Sequence, residues 1–219
     1  MDIAAVMAGD NQMDPTYLPD LLNPIVDGVS DFTKGNRMKP GFWAGMSKWR
    51  LFGNILLNAL SKIASGYWNI GDPQNGYVAI SSDALSKLDL DNLYARYAFE
   101  NDMMIKSNIA GLRMMSIYIP AKYGTERSHI RYGSFIVKTS YFLLKSFLKR
   151  VTIKFLKYRN PIYIAYILGV VLIILGSITA LFGGWGILPL GILLFSVACI
   201  GEVKQTTRQI IKFITDPGT

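Results

Sequence analysis

The stretch that decides the fold is Pro161–Gly201, PIYIAYILGVVLIILGSITALFGGWGILPLGILLFSVACIG, which contains no Asp, Glu, Lys, Arg or His. The hydrocarbon core of a bilayer is about 30 Å thick, and roughly 20 helical residues cross it. The stretch is too long for one span and suits two, broken at the Gly-Gly-Trp-Gly of residues 183–186. We therefore predict a transmembrane hairpin with spans near 162–182 and 187–201, the second being short. A very apolar buried helical hairpin in a soluble protein is the alternative.

The charge on either side of this stretch indicates how it sits in a membrane. The chain has a net charge of +8 and a pI near 9.5, and nine of its basic residues fall between Arg127 and Arg159, where no acidic residue occurs. Basic residues that flank a span favour the cytoplasmic side, and Lys204, Arg208 and Lys212 follow the second span. We expect both termini and the soluble part to be cytoplasmic. Nucleic-acid binding is the competing interpretation of the basic pI, but the basic block adjoins the hairpin, so we expect no nucleic-acid partner.

Four parts follow from this pattern: an α/β part (1–132), a basic amphipathic juxtamembrane part (133–160), the hairpin (161–201) and a cytoplasmic tail (202–219). The juxtamembrane part has helical spacing and many Phe and Leu residues, which is typical of helices lying in the membrane interface. A packed cytosolic helix is the alternative. Its basic residues are predicted on two adjoining helical faces, with Lys138, Lys145 and Lys149 on one and Arg150, Lys154 and Lys157 on the other.

The first 132 residues alternate between strand and helix patterns. Strands are predicted within 2–7, 30–37, 71–80 and 112–120, and helices within 17–28, 46–65, 82–88 and 92–111. Such alternation is typical of an α/β fold with a mainly parallel sheet. Gly111 predicts the end of the last of these helices, because glycine is the common C-terminal cap.

Four polar loops interrupt these otherwise apolar elements. They are DNQMD (10–14), TKGNR (33–37), GDPQNGY (71–77) and END (100–102). Asp and Asn beside Pro or Gly are turn formers, so each loop on its own predicts only a turn. Their order and spacing along the chain are more informative than any one of them.

This series resembles the second half of a family 2 glycosyltransferase of the GT-A fold. Within that family it is most similar to the membrane-bound polyprenyl-phosphate sugar transferases of the dolichyl-phosphate mannose synthase type. AGDNQMDP (8–15) resembles the family's Asp-x-Asp motif with its nearby Gln, with Ala8 in place of the first Asp. The resemblance implies a partial GT-A, Rossmann-like sheet, in which Asp10 and Gln12 would bind Mg²⁺ or Mn²⁺ under the diphosphate of a nucleotide sugar.

The later motifs resemble the acceptor side of the same family. ENDMM (100–104) is similar to its acidic acceptor motif, DPQNGYVAIS (72–81) to its Gly-aromatic loop, and YGTERSHIRY (123–132) to the loop before the membrane part. By this resemblance Asp102 would act as general base, with Glu100 as the fallback, or would orient a lipid phosphate that is already ionised. The expected donor- or acceptor-phosphate residues are Lys34, Arg37, Asp72, Gln74, Asn75, Gly76, Arg127 and Arg131. Solvated surface charge is the alternative for each of the cations.

In the family, the nucleotide-binding strands precede the metal loop, and they have no counterpart here. We therefore expect the C-terminal portion of a glycosyltransferase, either truncated or one half of a split enzyme whose N-terminal half is a separate chain. A strand that is central in the family would then be an unpaired edge. The implied activity is transfer of a sugar from a nucleotide-diphosphate sugar to dolichyl or undecaprenyl phosphate at the cytoplasmic membrane face. The alternative is a non-catalytic, membrane-anchored remnant or an accessory subunit of a glycosyltransferase complex.

Overall fold

A computed structural model of the chain describes residues 2–9, 13–37, 48–95, 98–120 and 132–215. The expected metal ligands Asp10 and Gln12, and the expected phosphate-binding residues Arg127 and Arg131, lie outside the described residues. The strands are β1 (Ile3–Val6), β2 (Phe32–Asn36), β3 (Val78–Ser81) and β4 (Met114–Tyr118). The helices are α1 (Leu18–Val26), α2 (Lys48–Ser65), α3 (Ser82–Ser86), α4 (Phe99–Ala110), α5 (Tyr132–Tyr158), α6 (Pro161–Ala180) and α7 (Ile187–Thr215). The predicted α/β part followed by a C-terminal apolar hairpin is confirmed.

The four strands form one mixed sheet in the order β1-β3-β2-β4. Only β2 and β4 are parallel, with Phe32 opposite Met114, and β3 is antiparallel to both of its neighbours. The expectation of a mainly parallel sheet is therefore wrong. The segment after α2 returns to the carboxyl end of β2, where the Gly35 N–H donates to the Tyr77 carbonyl (2.8 Å), so β3 must run back from that end.

Helices cover both faces of this sheet. On one face, α1 contributes Leu21 and Ile25, which pack against Tyr77, Ala79 and Ile119. On the other face, α3, α4 and the segment after α2 pack on the sheet through Phe32, Tyr67, Ile70, Ile80, Ala84, Met103, Met104 and Met114. The helix α4 ends at Gly111, which has a φ of +80°, as the sequence predicted.

The apolar stretch forms two antiparallel helices, α6 and α7. The Asn160 side chain caps the first by accepting a hydrogen bond from the Ile162 N–H (2.9 Å), with Pro161 at the first helical position, where its missing N–H costs little. Pro161–Ala180 and Ile187–Ile211 are long and apolar enough to cross a bilayer, and few of their residues are buried in the isolated chain. Two such helices fit a membrane protein. The helix that contains the second predicted span continues beyond residue 201 to Thr215.

Close approach of the two helices depends on glycine. A Cβ added at Gly176 would lie 2.5 Å from the Leu188 backbone, and one at Gly191 would lie 2.6 Å from the Ile173 nitrogen. Small residues allow such close packing where lipid supplies no hydrophobic driving force between helices. The hairpin is therefore tightly packed along its length.

The base of the hairpin packs on the helices of the soluble part. Residues of α2, α4, α5, α6 and α7 form one buried cluster, which includes Ala64, Ile105, Leu143, Phe147, Val151, Tyr163, Tyr166 and Ala198. On α5, the predicted face of Lys138, Lys145 and Lys149 is exposed. The adjoining predicted basic face is not uniform: Lys157 is exposed, but Arg150 and Lys154 are buried, because α2 and α7 pack against this side of α5.

Candidate functional site

The described parts of all four polar loops lie near the carboxyl end of β2. Loop 71–77 is fastened there by the hydrogen bond from the Gly35 N–H to the Tyr77 carbonyl (2.8 Å). A Cβ placed on Gly76 would lie 3.7 Å from the Met13 methyl group and 3.8 Å from Oε1 of Glu100. Met13 belongs to the first polar loop and Glu100 to the last, so folding brings together segments that are far apart in the sequence.

Lys34 is the most deeply buried cation of this cluster. It is 1% exposed, and its Nζ donates to the backbone carbonyl of Asn75 in loop 71–77. Burial lowers the pKa of the Lys34 amine to about 8, and the nearby carboxylates of Glu100 and Asp72 limit the drop. The amine is therefore still charged near neutral pH and lies close to two carboxylates.

Asp72 and Arg37 form an ion pair beside this lysine. The Arg37 Nε donates to Oδ2 of Asp72 (2.7 Å) and Nη2 donates to Oδ1 (3.3 Å), and the Arg37 backbone N–H also points at Oδ2 (3.3 Å). The Asp72 side chain is nearly buried, but the Arg37 side chain is 33% exposed. The pair holds the loop against the end of β2.

Two glycines allow the loop to lie this close to β2. A Cβ on Gly35 would come within 2.8 Å of the Asn75 Nδ2, and one on Gly71 within 2.2 Å of the Asn36 Nδ2. The Asn75 Oδ1 accepts from the Tyr77 N–H (3.0 Å), which shapes the loop locally. The amide side chains of Asn36 and Asn75 are thus packed into the junction between strand and loop.

The acidic motif occupies the first turn of α4, where its residues face different neighbours. The Asp102 Oδ2 accepts from the Tyr94 N–H (2.9 Å) and lies 3.2 Å from Nζ of Lys106. Glu100, by contrast, is the carboxylate near Lys34 and Gly76. Both carboxylates remain candidates for binding the acceptor, and Glu100 lies closer to the charged amine of Lys34.

Two residues of α2 that the sequence pattern did not single out contact both acceptor-side segments. Asn58 donates through Nδ2 to the Gly71 carbonyl (2.7 Å), and Ser61 donates through Oγ to Oδ1 of Asn101 (2.7 Å). Residues three apart share one face of a helix. The available signal was this polar pair on a helix face that is otherwise apolar, between Leu57 and Ala64.

Several buried donors in this region have no hydrogen-bond partner among the described residues. They are Nε2 of Gln74, Nδ2 of Asn101 and the hydroxyl of Tyr77. Buried polar groups are almost always paired in native proteins, so each orphan needs an explanation. The unpaired Gln74 donor belongs to loop 71–77, which contacts Lys34 and Arg37, and it suits a ligand that carries acceptor oxygens.

The described residues do not supply a metal site. In those ranges, no three Asp, Glu, His or Cys side chains come together as ligands. The carboxylates of the cluster lie near cations, Asp72 against Arg37 and Glu100 near Lys34. The expected ligands Asp10 and Gln12 fall outside the described ranges, so Mg²⁺ or Mn²⁺ binding stays a prediction.

The chain is distantly similar to a known glycosyltransferase. No family model matches the sequence. A segment of 123 residues is 28% identical to the UDP-N-acetylglucosamine–dolichyl-phosphate N-acetylglucosaminyltransferase of Methanococcus voltae, covering 53% of this chain and 49% of the relative. The chain spans about half the length of this curated relative. The distant, partial similarity supports a relationship between this chain and the glycosyltransferases.

Proposed function

We propose that this chain forms the acceptor-side half of a glycosyltransferase that moves a sugar from a nucleotide-diphosphate sugar to a polyprenyl phosphate at the cytoplasmic membrane face. The observation that carries the proposal is the cluster of Lys34, Arg37 and unpartnered buried donors, in a chain with an apolar helical hairpin. A relative whose name includes dolichyl phosphate supports the substrate class.

The charges of the cluster suit a phosphate. Charge-assisted hydrogen bonds from lysine and arginine to phosphate are about twice as strong as neutral ones. Lys34 lies in a buried setting where solvent screens little, so a phosphate beside it would raise the pKa of its amine and keep it charged. Arg37, held in place by Asp72, presents a second cation from the partly exposed side of the same loop.

A phosphate acceptor does not need a strong general base. A phosphate monoester has a second pKa near 6 and is largely ionised at neutral pH, so a carboxylate would orient the acceptor more than deprotonate it. Glu100 is placed for this role near Lys34, and Asp102 is the alternative. A divalent ion bound by Asp10 and Gln12 would neutralise charge on the donor diphosphate.

The donor-binding half would come from polypeptide outside this chain, as a separate partner or a further segment. Strand β1 supports this part of the proposal, because it lies at the sheet edge and its residues, Ile3–Val6, are all apolar. Val6 is 56% exposed. Exposed apolar edge strands invite pairing with another strand, and additional strands here would extend the sheet towards a nucleotide site.

The acceptor half can be tested without the donor half. The chain in lipid nanodiscs should bind a short-chain polyprenyl phosphate such as farnesyl phosphate about tenfold or more tightly than farnesol, since a charge-assisted contact is worth about 1.5–3 kcal/mol. Lys34→Met should remove most of this preference. Lys87→Met, which changes an exposed lysine that follows α3 and pairs with Asp83, is the matched control.

The complete reaction is tested by adding candidate N-terminal halves together with labelled nucleotide sugars and dolichyl phosphate. Formation of a labelled lipid that depends on Lys34 supports the proposal. Equal binding of farnesyl phosphate and farnesol, with no sugar-lipid formed from any common nucleotide sugar, would favour the non-catalytic accessory subunit instead.

A further inference from the structure

Arg150 is completely buried although it belongs to the basic segment before the hairpin. It is 0% exposed, and its guanidinium reaches the C-terminal turn of α2, where Nε donates to the Ala64 carbonyl (2.8 Å) and Nη2 to the Ile63 carbonyl (2.9 Å). The last carbonyls of a helix have no partner within the helix. Arg150 of α5 therefore caps α2 from the side.

The charge of Arg150 is balanced by Glu202, the first residue after the charge-free stretch. The Glu202 Oε1 accepts from Nη1 of Arg150 (2.5 Å), and Oε2 accepts from Nη2 (3.3 Å). The same Oε2 also accepts from the Tyr166 hydroxyl (2.9 Å) and from Nε1 of Trp68 (3.3 Å). One carboxylate of α7 thus joins α5, α6 and the segment that follows α2.

The side chains of this ion pair are closely packed against the backbone that follows α2. Gly66, which follows α2, has a φ of +76°, and a Cβ there would lie 2.5 Å from Nη1 of Arg150 and 2.9 Å from Oε1 of Glu202. Burial removes both charges from water, so a shift of either helix would leave a charge without its partner, which is costly in a protein interior. The end of α2 and the base of the hairpin are therefore held in one arrangement.

The anchored helix also holds the candidate site. Ser61, one turn before Ala64, bonds to Asn101 in the first turn of α4, and Asn58, a turn earlier, bonds to the Gly71 carbonyl at the start of loop 71–77. Both partners belong to segments that surround Lys34 and Arg37. We call this group of residues the phosphate cluster, after the ligand proposed for it. A displacement of the α2 terminus would consequently change the spacing between loop 71–77 and the first turn of α4.

We propose that Arg150 and Glu202 are positioning residues: their ion pair sets the position of α2 on the hairpin and thereby the geometry of the phosphate cluster. The ligand part of this inference rests on the proposed function, and the structural part does not. The membrane hairpin is then more than an anchor, because the way its base packs determines whether loop 71–77 is ordered for binding.

The competing explanation is that the ion pair only satisfies two buried charges. A double variant separates the two explanations, because replacing a buried ion pair by apolar residues is often neutral for stability. Arg150→Met with Glu202→Met removes both charges together, and it also removes the donors to the Ile63 and Ala64 carbonyls. Arg150→Lys is the second variant, since it keeps a positive charge facing Glu202 but loses the planar fork that reaches two carbonyls at once.

The experiment uses the full chain in nanodiscs and measures hydrogen exchange of backbone amides in 71–77 and 99–104 together with binding of farnesyl phosphate. For the double variant we expect unchanged membrane insertion, exchange in these two segments at least about tenfold faster, and affinity about tenfold lower. Arg150→Lys should show the same pattern. Lys149→Met, at the neighbouring exposed position, should behave like the unmodified chain.

The binding measurement tests the proposed function, and the hydrogen-exchange measurement tests the positioning role. If the unmodified chain does not bind farnesyl phosphate but both variants speed exchange, the proposed function fails and the positioning role stands. If exchange and affinity in a folded double variant match the unmodified chain, the ion pair is only structural and the proposal is overturned. If the double variant does not fold, unchanged exchange in Arg150→Lys overturns it in the same way.

Discussion

At the scale of single residues, the buried Lys34 amine makes stability depend on pH. The folded state holds the Lys34 pKa at about 8, whereas an unfolded lysine titrates near 10.5. Between these values the unfolded state binds more protons, so the free energy of unfolding should rise with pH, by up to roughly 3 kcal/mol at 1.36 kcal/mol per pKa unit. Below pH 8 both states are protonated and this contribution is constant.

Lys34→Met should therefore remove roughly half of the rise in unfolding free energy between pH 8 and 10.5, because burial lowers the pKa of Lys154 to about 8 as well and that lysine contributes a similar rise. Denaturant unfolding followed by tryptophan fluorescence at several pH values measures it. Lys145→Met changes an exposed lysine of α5 and should leave the rise intact. A slope as steep in Lys34→Met as in the unmodified chain would mean that Lys34 does not contribute to the pH dependence.

Gly71 offers a second test at this scale. In Gly71→Ala the new methyl group would lie 2.2 Å from the Asn36 Nδ2, so the asparagine and the loop must move apart. Forcing extra atoms into a packed site typically costs about 1–3 kcal/mol. Gly76→Ala is the control for stability, because its Cβ would make ordinary contacts at 3.7 Å or more. Equal unfolding free energies for the two variants would contradict the packing described here.

The sequence predicted which loops carry polar chemistry, but not which atoms meet within them. Lys34, Arg37, Asp72, Asn75 and Glu100 were identifiable as polar residues of short loops between apolar elements. Their pairing depends on the path of the chain after α2, which no local pattern encodes. The contributions of Asn58 and Ser61 depend on how α2 packs, so helical periodicity alone could not assign them.

At the scale of elements, the pair of apolar helices was predictable from the sequence, but the full length of the second helix was not. Absence of charge marks the part of a helix that lipid can surround, and hydrogen bonding decides where the helix ends. The first span begins where expected because Asn160 and Pro161 form a local N-terminal signal. The helix α7 passes residue 201 without a break, and its Glu202 is paired inside the protein. The direction of β3 was mispredicted because alternation of strands and helices does not specify strand polarity.

Because α6 and α7 are in close contact, a single methyl group added at their interface should lower the stability of the hairpin. Gly176→Ala places a methyl group 2.5 Å from the Leu188 backbone, which cannot move as a side-chain end can. We expect separation of the helices and a loss of roughly 1–3 kcal/mol in the stability of the membrane-embedded hairpin. Unfolding by titration with dodecyl sulfate, followed by circular dichroism, measures this loss.

Gly186→Ala is the matched control for the hairpin, because a Cβ there would have no atom within 4 Å. The two variants have the same composition and the same added volume. A hairpin whose stability falls equally in both would show that backbone flexibility, and not helix contact, determines the effect.

At the scale of the whole molecule, one acidic residue of the sequence indicated where the soluble part contacts the hairpin. The many basic residues around it made this residue hard to recognise. Glu202 is the only acidic residue between Glu126 and Asp216, in a region with an excess of basic residues. A lone carboxylate directly after an apolar span is expensive to bury unless a cation pairs with it. The identity of that cation, Arg150, became clear only when α5 was seen to pack beside α7.

This join predicts the orientation of the molecule in a membrane. The soluble helices pack on the end of the hairpin that carries Glu202, the partner of Arg150 in α5, and the turn near Gly184 lies at the other end of α6 and α7. If the hairpin spans the bilayer, the soluble part and the turn must face opposite sides. The basic residues of α5 favour the cytoplasm for the soluble part.

Labelling with a membrane-impermeant maleimide in oriented vesicles tests this orientation. The Cys199→Ser background removes the only native thiol, and Lys87→Cys and Gly184→Cys then report on the soluble part and the turn, both of which are exposed. We expect residue 87 to react in inside-out vesicles and residue 184 to react only in right-side-out vesicles. Reaction of both positions from one side would mean that α6 and α7 lie along the membrane surface or in a soluble core, since two spans of this length cannot place the turn and the domain together.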